Sequence, residues 1–163
     1  MADNRNSNPP GRRGGGVDEM DRRIIRLLQQ DGRKSNTEIA RELGVTETTV
    51  RKRIGQLLNE GLMNIVAVPT PEAVGRSLSA IIGVSVDLTA MHAVGDAIRA
   101  YPEVRYVGMS AGRYDLIVEA FFSSQEQLLD FITEKLGVLH GVSDIETSVI
   151  LKVVKFSYEW EIA

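Results

Sequence analysis

The stretch VTETTVRKRIGQLLNEGL at residues 45–62 combines hydroxyl, amide and cationic side chains with a regular apolar spacing. At about 100° per residue, this spacing indicates an amphipathic helix that begins after Thr46 and ends at Gly61. Its apolar stripe consists of Val50, Ile54, Leu57 and Leu58. The opposite side carries groups that can reach base edges and phosphates in a major groove, although a basic helix face by itself is often only a solvated surface. The position of this helix directly after a glycine-containing turn favours a helix that reads DNA.

The polar side of this helix supplies most of the candidate DNA-binding residues. Arg51 and Arg53 flank the apolar stripe, and we expect them to contact mainly phosphates. The residues expected to read bases or adjacent phosphates are Thr48, Thr49, Lys52 and Gln56. Thr46, at the start of the helix, belongs to the same set, and Arg33 fits either a phosphate contact or a structural helix cap. A dimer would present two such helices, so the DNA site should be roughly palindromic, with half-sites about one helical turn or a multiple apart.

Two earlier helices would hold this one in place. The first spans about residues 18–30 and starts with an aspartate as its N-cap. The second begins at Ser35, whose S-x-x-E spacing with Glu38 is that of a capping box, and it ends at Gly44. A short helix, a tight turn and a second helix make a helix-turn-helix. Short extended segments are expected after it, over residues 62–68, as a wing or hinge.

From residue 78 the apolar pattern changes to a period of two, which indicates strands. The predicted strands are 78–87, 103–110, 114–122 and 143–156, and the predicted helices are 88–100 and one that starts at Ser124. The first strand turns Ala80, Ile82, Val84 and Val86 to one face, and the last alternates through Thr147, Val149, Leu151 and Val153. The order β-α-β-β-α-β is that of a ferredoxin-like antiparallel sheet with both helices on one face. The other face needs a cover, for which a partner subunit is the obvious candidate.

The second helix of this module carries its own start signal. Ser124 and Gln127 have the spacing of a capping box. The apolar positions that follow are Leu128, Leu129, Ile132 and Leu136. The predicted fold class is therefore α+β, with an N-terminal winged helix-turn-helix joined to a C-terminal ferredoxin-like module.

Composition excludes several classes of protein and of site. The chain of 163 residues contains no cysteine, so disulfides, thiolate zinc sites and cysteine nucleophiles are excluded. No apolar run approaches the roughly 18 residues of a membrane span, and the N-terminus lacks the apolar stretch of a secretion signal. We therefore expect a cytoplasmic protein with no membrane partner.

Charge divides the chain into two parts. Residues 1–64 hold 12 Lys and Arg against 9 Asp and Glu, whereas residues 65–163 hold 7 against 13. A basic part beside an acidic part suggests two modules with different partners. The predicted organisation is a disordered arm (1–16), a DNA-binding domain (17–64), a hinge (65–77) and a second domain (78–163).

Several motifs in order along the chain resemble the leucine-responsive and asparagine regulator (Lrp/AsnC) family. They are V-D-x-x-D-x-x-I-I-x-x-L from Val17, D-G-R-K-S-N-T-E-I-A-R-E-L-G-V-T from Asp31, T-V-R-K-R-I from Thr49, E-G-L-M from Glu60 and the G-x-Y-D turn at Gly112–Asp115. The resemblance covers about residues 17–156. It implies a transcription regulator in which a winged helix-turn-helix is joined to an ACT-like domain for effector binding and oligomerisation. Members form homodimers through their sensing sheets, often assemble into octamers, and usually respond to amino acids.

The resemblance implies an effector site near the G-x-Y-D turn. The candidate effector-binding residues are Ser110, Ala111, Gly112, Arg113, Tyr114, Asp115 and Thr147. Turn amides can hold a carboxylate, Asp115 can accept from an α-ammonium group, and Thr147 can donate if its strand neighbours the turn. Without a ligand, Gly112 would simply permit a tight hairpin that Asp115 caps. Arg113 occupies a variable position, where many members carry a small or acidic residue.

Two other functions stay open beside an amino-acid-responsive, sequence-specific regulator that binds double-stranded DNA. One is an architectural DNA-binding protein that needs no ligand. The other is an enzyme similar to the sirohaem decarboxylases, which resemble this family and use histidine and arginine on a tetrapyrrole. The two histidines, His92 and His140, have no metal-ligand spacing with a carboxylate cluster, and no catalytic arrangement stands out. We therefore expect no enzyme activity, no metal and no cofactor.

Overall fold

The computed structural model describes residues 16–155. The predicted arm up to residue 15 and the C-terminal segment FSYEWEIA, residues 156–163, lie outside the described residues. The described chain divides into two compact units, with the boundary between Ala67 and Val68. The first unit is helical and the second is built on one sheet. Within residues 16–155, no helix is both long and apolar enough to cross a membrane.

Three helices make up the first unit. They are α1 (Glu19–Gln30), α2 (Asn36–Leu43) and α3 (Glu47–Asn59). At the start of α2, the Ser35 hydroxyl accepts from the Glu38 N–H at 3.2 Å, and the Glu38 carboxylate accepts from the Ser35 N–H at 2.8 Å. This reciprocal pair confirms the predicted capping box. A cap of this kind stabilises a helix by about 1 kcal/mol.

Local bonds also define the start of α1 and the end of α2. Asp18 Oδ1 accepts from the Asp21 N–H at 2.9 Å, and Asp21 Oδ2 accepts from the Asp18 N–H at 3.2 Å. The predicted N-cap of α1 is therefore part of a second capping box, in which an aspartate replaces the usual glutamate. The end of α2 lies at Gly44, as predicted, where φ is +68°. Glycine adopts this left-handed conformation without a clash from a Cβ, so the chain can turn directly into α3.

The apolar sides of the three helices meet in one core. Ile24, Ile39 and Val50, one from each helix, are fully buried there. Burial of a side chain of this size contributes about 1.5–3 kcal/mol. Leu57 is buried as predicted, whereas Leu58, expected in the same stripe, is 39% exposed. At about 100° per residue Leu58 lies at the edge of the stripe, so only part of it is covered.

The chain after α3 differs from the predicted wing. No residue between 62 and 77 belongs to a paired strand in the structure described. Leu62, Ile65 and Val68 were expected in short extended segments, but they are all exposed and therefore lack the burial that stabilises a strand. A single 3₁₀ turn, Glu72–Val74, precedes the sheet. The helix-turn-helix is thus present, while its predicted wing strands are not formed by these residues.

The second unit is a four-stranded antiparallel sheet with two helical segments. Its strands are β1 (Leu78–Val86), β2 (Val104–Met109), β3 (Leu116–Phe122) and β4 (Val142–Ile150), and its helices are α4 (Met91–Ile98) and α5 (Gln125–Asp130). A π-helical turn over Phe131–Leu136 continues α5. The strand order is β2-β3-β1-β4, and every neighbouring pair is antiparallel. This arrangement confirms the predicted β-α-β-β-α-β unit and the α+β fold class.

One face of this sheet carries the core. The buried strand residues are Ala80, Ile82, Val84 and Val86 of β1, as predicted, and Leu116, Val118, Ala120 and Phe122 of β3. Val94, Ile98, Phe131 and Leu136 complete the core from the helical segments. Because side chains alternate along a strand, the intervening residues lie on the opposite face, which we call the open face. Tyr106 of β2 lies there and is 55% exposed.

The helix after β3 differs from its prediction in two ways. Ser124 Oγ accepts from the Gln127 N–H at 3.1 Å, but Gln127 Oε1 accepts from the Ser123 N–H at 2.7 Å instead of completing a capping box. Leu129, named among the apolar positions of this helix, is 59% exposed. Phe131 is buried instead, at the point where the helix widens into the π-helical turn and its side-chain spacing changes.

Three elements are shorter than predicted by two residues or more at one end. α4 begins at Met91 instead of residue 88, and β3 begins at Leu116 instead of residue 114. β4 ends at Ile150 instead of residue 156. Ile150 pairs with Ser79, next to the first residue of β1, so the chain beyond it runs out of strand partners. Leu151 is accordingly 96% exposed.

Replacing Phe131 with alanine should lower the free energy of unfolding of the sheet unit by about 3–5 kcal/mol. The ring is buried, and its centroid lies 5.5 Å from that of Tyr101 and 5.3 Å from that of Phe122. Leu129→Ala is the matched control, because its side chain is mostly exposed and its loss should cost less than about 1 kcal/mol. Urea denaturation followed by near-UV circular dichroism measures both. Equal effects would contradict the assignment of Phe131 to the core.

Candidate nucleic-acid interface and effector site

Threonine hydroxyls fix the start of α3. Thr46 Oγ1 accepts from the Thr49 N–H at 3.2 Å and lies 2.9 Å from Thr49 Oγ1. Thr46 is therefore the N-cap that the sequence predicts, and its hydroxyl is engaged within the helix. Thr48 is exposed on the polar side of the same turn. Thr46 and Thr48 are both exposed, but the Thr46 hydroxyl is bonded within the helix.

A groove lies between α3 and the start of α1. It is lined by Thr48, Thr49, Lys52, Arg53 and Gln56 of α3, with Asp18 and Asp21 at the start of α1 and Glu60 just after α3. Five of the eight candidate DNA-binding residues therefore meet on one surface. The other three candidates, Arg33, Thr46 and Arg51, do not line this groove.

The three consecutive cations of α3 have different partners. Arg51 pairs with Glu47 one turn earlier, and its side chain is 67% exposed. Arg53 pairs with two carboxylates of the α1 start. Lys52 is exposed and has no ion-pair partner among residues 16–155. Lys52 is therefore free to contact a phosphate, and Arg51, whose ion pair is exposed and so weak, stays a predicted phosphate contact beside it.

Arg53 is tied to the start of α1. Its Nη1 donates to Asp18 Oδ2 at 2.6 Å and to Asp21 Oδ1 at 2.9 Å. The hydrogen bonds to Asp18 and Asp21 raise the pKa of Arg53 above its usual value, while the Asp21 N–H and Arg53 lower the pKa of Asp18. The sequence predicts Arg53 mainly as a phosphate contact. In the structure this guanidinium pairs with two carboxylates, and its contact with a phosphate stays a prediction.

Two further candidates also have local bonds. Gln56 Nε2 donates to Glu60 Oε1 at 2.8 Å, and the side chain is exposed. Arg33 lies in the turn between α1 and α2, where its backbone N–H donates to Asp31 Oδ1 at 2.9 Å. The turn thus uses the backbone of Arg33, and its exposed side chain stays a candidate phosphate contact.

The predicted effector turn joins β2 to β3. The Ser110 N–H donates to the Asp115 carbonyl oxygen at 2.8 Å, which closes the turn. The Asp115 N–H donates to the Val84 carbonyl oxygen at 3.1 Å, and Asp115 Oδ2 accepts from the Val86 N–H at 2.8 Å. The carboxylate expected to hold an α-ammonium group therefore already has one oxygen bonded to β1. Ala111 and Gly112, at the tip of the turn, are exposed.

The Tyr114 ring lies on the open face, over β1 at Gly83. A Cβ at position 83 would lie 2.5 Å from the ring, so only glycine permits this approach. The Arg113 guanidinium stacks 5.3 Å from the ring centroid, and its Nη2 donates to Glu146 Oε2 at 2.8 Å. A hydrogen bond from the Tyr114 hydroxyl to Glu146 raises the pKa of the tyrosine. We call Arg113, Tyr114 and Glu146 the turn cluster.

Thr147 does not join the turn cluster. It pairs with Ile82, which is buried on the helix side, and directly paired residues of antiparallel strands share a face. Glu146 pairs with Gly83 and so lies on the side of the turn. The prediction that Thr147 donates to an effector required its strand to neighbour the turn on that side. The structure puts Thr147 on the opposite face of the sheet from the turn cluster.

The sequence alone did not identify Gly83 and Glu146 as members of this site. A glycine inside an alternating strand indicates a bulge or a close approach of another group, and this signal could have found Gly83. Glu146 is one residue from the predicted Thr147. A displacement of one residue along a strand moves a side chain to the other face, so only the register could decide between them.

Both parts of the chain match one protein family. Residues 17–58 match the AsnC-type helix-turn-helix domain, and residues 79–160 match the Lrp/AsnC ligand binding domain. The chain belongs to the Lrp/AsnC family. These matches confirm the resemblance to this family that the sequence motifs indicate. The protein is a DNA-binding transcription regulator with a helix-turn-helix.

Relatives of this Lrp/AsnC-family protein cover nearly its whole described length. A helix-turn-helix-type transcriptional regulator of Pyrococcus furiosus is 36% identical over 143 residues, which cover 87% of this chain and 97% of the relative. The helix-turn-helix-type transcriptional regulator FL11 of Pyrococcus horikoshii is 33% identical over 144 residues, with 88% and 95% covered.

Solved structures show the same fold. A transcriptional regulator of Neisseria meningitidis, solved as a complex with L-Met, is 29% identical with a TM-score of 0.81, and 88% of this chain and 95% of that chain are covered. AsnC of Escherichia coli has a TM-score of 0.81 at 19% identity, with 87% and 97% covered. At that identity the second comparison supports the fold alone.

Replacing Gly83 with alanine should displace the Tyr114 ring and lower the free energy of unfolding of the sheet unit by about 1–3 kcal/mol. The added Cβ would meet the base of the ring, which has no flexible end to move aside. Gly112→Ala is the matched control, since its Cβ would lie 3.6 Å from Ser110 Oγ, an ordinary contact. Chemical denaturation measures both variants. A Gly83 variant as stable as the Gly112 variant would contradict the packing of Tyr114.

Proposed function

We propose that this Lrp/AsnC-family regulator binds a specific DNA site with α3 and changes that binding when an amino acid or a related small molecule occupies the region of the turn cluster. The observation that carries the proposal is the polar side of α3. Exposed Lys52 lies there without a partner among the described residues, beside hydroxyl and amide groups. Such a surface combines a charge for phosphates with groups that can read bases.

The spacing of these groups suits a major groove. Thr48, Lys52 and Gln56 are four residues apart, so they lie nearly in line along α3 with a rise of about 6 Å between neighbours. A helix fits into a major groove about 12 Å wide. Threonine can bond to several bases, lysine to guanine and glutamine to adenine, so this line of side chains can distinguish sequences.

The open face of the sheet supports a homodimer. Tyr106 is half exposed there, and its ring lies over Gly108, which leaves a flat and partly apolar surface. Association of two such faces would remove them from water and would pair two copies of α3 for a two-fold symmetric DNA site. A larger assembly such as an octamer is a further proposal from the family resemblance.

The turn between β2 and β3 supports an amino-acid effector. Its exposed tip at Ala111 and Gly112 offers backbone amides that can hold an α-carboxylate. The second carboxylate oxygen of Asp115 can accept from an α-ammonium group, since only Oδ2 is bonded to β1. The related regulator of Neisseria meningitidis was solved with L-Met, which makes amino acids the first ligands to test.

A ligand-independent architectural DNA-binding protein is the second candidate function. It is favoured by one observation, which is that charged groups of the turn already have partners within the unit. Arg113 pairs with Glu146, and Asp115 accepts from the Val86 N–H. Under this alternative, DNA binding would remain but would not respond to amino acids.

Replacing Lys52 with methionine should weaken binding to the protein's own upstream DNA and flatten its salt dependence. Loss of one phosphate contact lowers the slope of log affinity against log salt by about 0.9. Fluorescence anisotropy of labelled upstream DNA, measured across salt concentrations with scrambled DNA in parallel, gives the affinity and the slope.

Lys152→Met is the matched control for this measurement. Lys152 is an exposed lysine of the sheet unit, outside α3, and its loss should leave the affinity and the slope at wild-type values. An unchanged slope for Lys52→Met would contradict its contact with a phosphate. Wild-type protein that is folded yet binds no DNA at low salt would contradict the proposed function itself.

A pooled amino-acid mixture, followed by single amino acids beginning with L-methionine, should shift the DNA affinity and raise the unfolding temperature of the protein. A ligand at about 100 times its Kd stabilises the native state by about 2.7 kcal/mol. Asp115→Asn should abolish both shifts, because its amide oxygen can still accept from Val86 while its NH₂ cannot accept from an ammonium group. Thermal unfolding and anisotropy measure the two effects. If no amino acid changes either the DNA affinity or the unfolding temperature, the result would favour the architectural alternative.

A further inference from the structure

Asp18 and Asp21, at the start of α1, each form two hydrogen bonds, one to a backbone N–H there and one to Arg53. Asp18 uses Oδ1 for the Asp21 N–H and Oδ2 for Arg53. Asp21 uses Oδ2 for the Asp18 N–H and Oδ1 for Arg53. Each carboxylate therefore caps α1 with one oxygen and holds α3 with the other. A single guanidinium nitrogen of Arg53 links the two helices.

This ion cluster is partly shielded from water and borders the polar side of α3. The side chains of Arg53 and Asp21 are 32% and 16% exposed, whereas that of Asp18 is 52% exposed. Charge-assisted hydrogen bonds are stronger and better defined when they are shielded in this way. Arg53 lines the same groove as Lys52 and Gln56, so the cluster lies next to the groups proposed to read DNA.

The apolar contacts of α3 do not by themselves fix its rotation. Val50 and Leu57 are buried, but Ile54 is only partly buried and Leu58 is 39% exposed. Apolar burial is itself non-directional, so it defines the orientation of a helix less sharply than hydrogen bonds do. Hydrogen bonds have preferred distances and angles. The two bonds from Arg53 orient α3 against the start of α1, while the Thr37 hydroxyl, which donates to Glu47 Oε2 at 3.0 Å, ties the start of α3 to α2.

We infer that Arg53 is a positioning residue for DNA recognition, which contacts no DNA itself and sets the orientation of the polar side of α3 through Asp18 and Asp21. This inference rests on the proposed DNA-binding function of α3. A positioning role and a direct phosphate contact predict opposite changes in DNA affinity when Asp18 and Asp21 are neutralised. Neutralising the two carboxylates would release a cation and remove two negative charges near DNA, so charge alone predicts tighter binding. Loss of positioning predicts weaker specific binding.

The full-length double variant D18N/D21N tests this difference. Asparagine is as good an N-cap as aspartate, and its amide oxygen can keep each capping bond while its NH₂ faces Arg53 without accepting. We expect the Kd for upstream DNA to rise about five- to tenfold, on the scale of one impaired base contact, while the Kd for scrambled DNA does not rise. Anisotropy gives both values. Stoichiometric titration of the active fraction separates lost affinity from lost folded protein.

Two further substitutions sharpen the comparison. Glu42→Gln breaks another ion pair of the same unit, Lys34 Nζ to Glu42 Oε1 at 2.7 Å, without touching α3, and should leave the Kd unchanged. Arg53→Met should weaken specific binding in the wild-type protein. It should add nothing in the D18N/D21N background, because a residue that acts only through these carboxylates has no separate contribution left.

Several results would overturn the inference. Tighter binding by D18N/D21N, with a salt slope steeper by about 0.9, would return Arg53 to the phosphate contacts. A further loss on adding Arg53→Met to D18N/D21N would do the same, and an unchanged Kd for D18N/D21N would remove the positioning role. If Arg53→Met does not fold, the direction of the change in Kd for D18N/D21N distinguishes a positioning role from a phosphate contact. Absence of DNA binding by the wild-type protein would instead remove the proposed function, and this inference with it.

Discussion

α3 must bury one side against α1 and α2 while its other side stays open to solvent, and the helical unit is organised around that requirement. A helix of 13 residues is marginal in water by itself. Its stability comes from burial of Val50 and Leu57 beside a core that includes Ile24 and Ile39. Because only one side of α3 is buried, the side that bears Thr48, Lys52 and Gln56 contributes little to the core. Those positions can serve recognition without weakening the fold.

The strands of the sheet unit also bury one side and expose the other, because their side chains alternate between the two faces with a period of two. Its core lies on the helix side, and its open face is shaped by glycines at positions 83 and 108, over which the rings of Tyr114 and Tyr106 lie. Aromatic rings laid over glycine keep such a surface flat without extra backbone strain. The turn cluster belongs to this face. Changes at the turn therefore act on an exposed surface rather than on the core.

Local signals in the sequence were sufficient to predict most helices and strands. The partners of side chains that lie far apart in the sequence could not be predicted in this way. Ser35 with Glu38 and Gly44 could be interpreted from the sequence because a cap or a turn depends on residues within one helical turn. Arg51 and Arg53 look alike in the sequence, yet one pairs within its own helix and the other pairs with Asp18, 35 residues away. Only tertiary packing decides that difference. The same holds for Glu146 and Thr147, whose faces depend on strand register.

The distribution of partners explains how a chain with a formal net charge of −3 can present a cation to DNA. Three of the carboxylates near α3 pair with its arginines: Asp18 and Asp21 bind Arg53, and Glu47 binds Arg51. Each of these pairs neutralises negative charge that would otherwise repel a phosphate. Association with DNA depends on the local field of the contacting surface rather than on net charge. Of the three cations of α3, Lys52 is thus the one whose side chain has no ion-pair partner among residues 16–155.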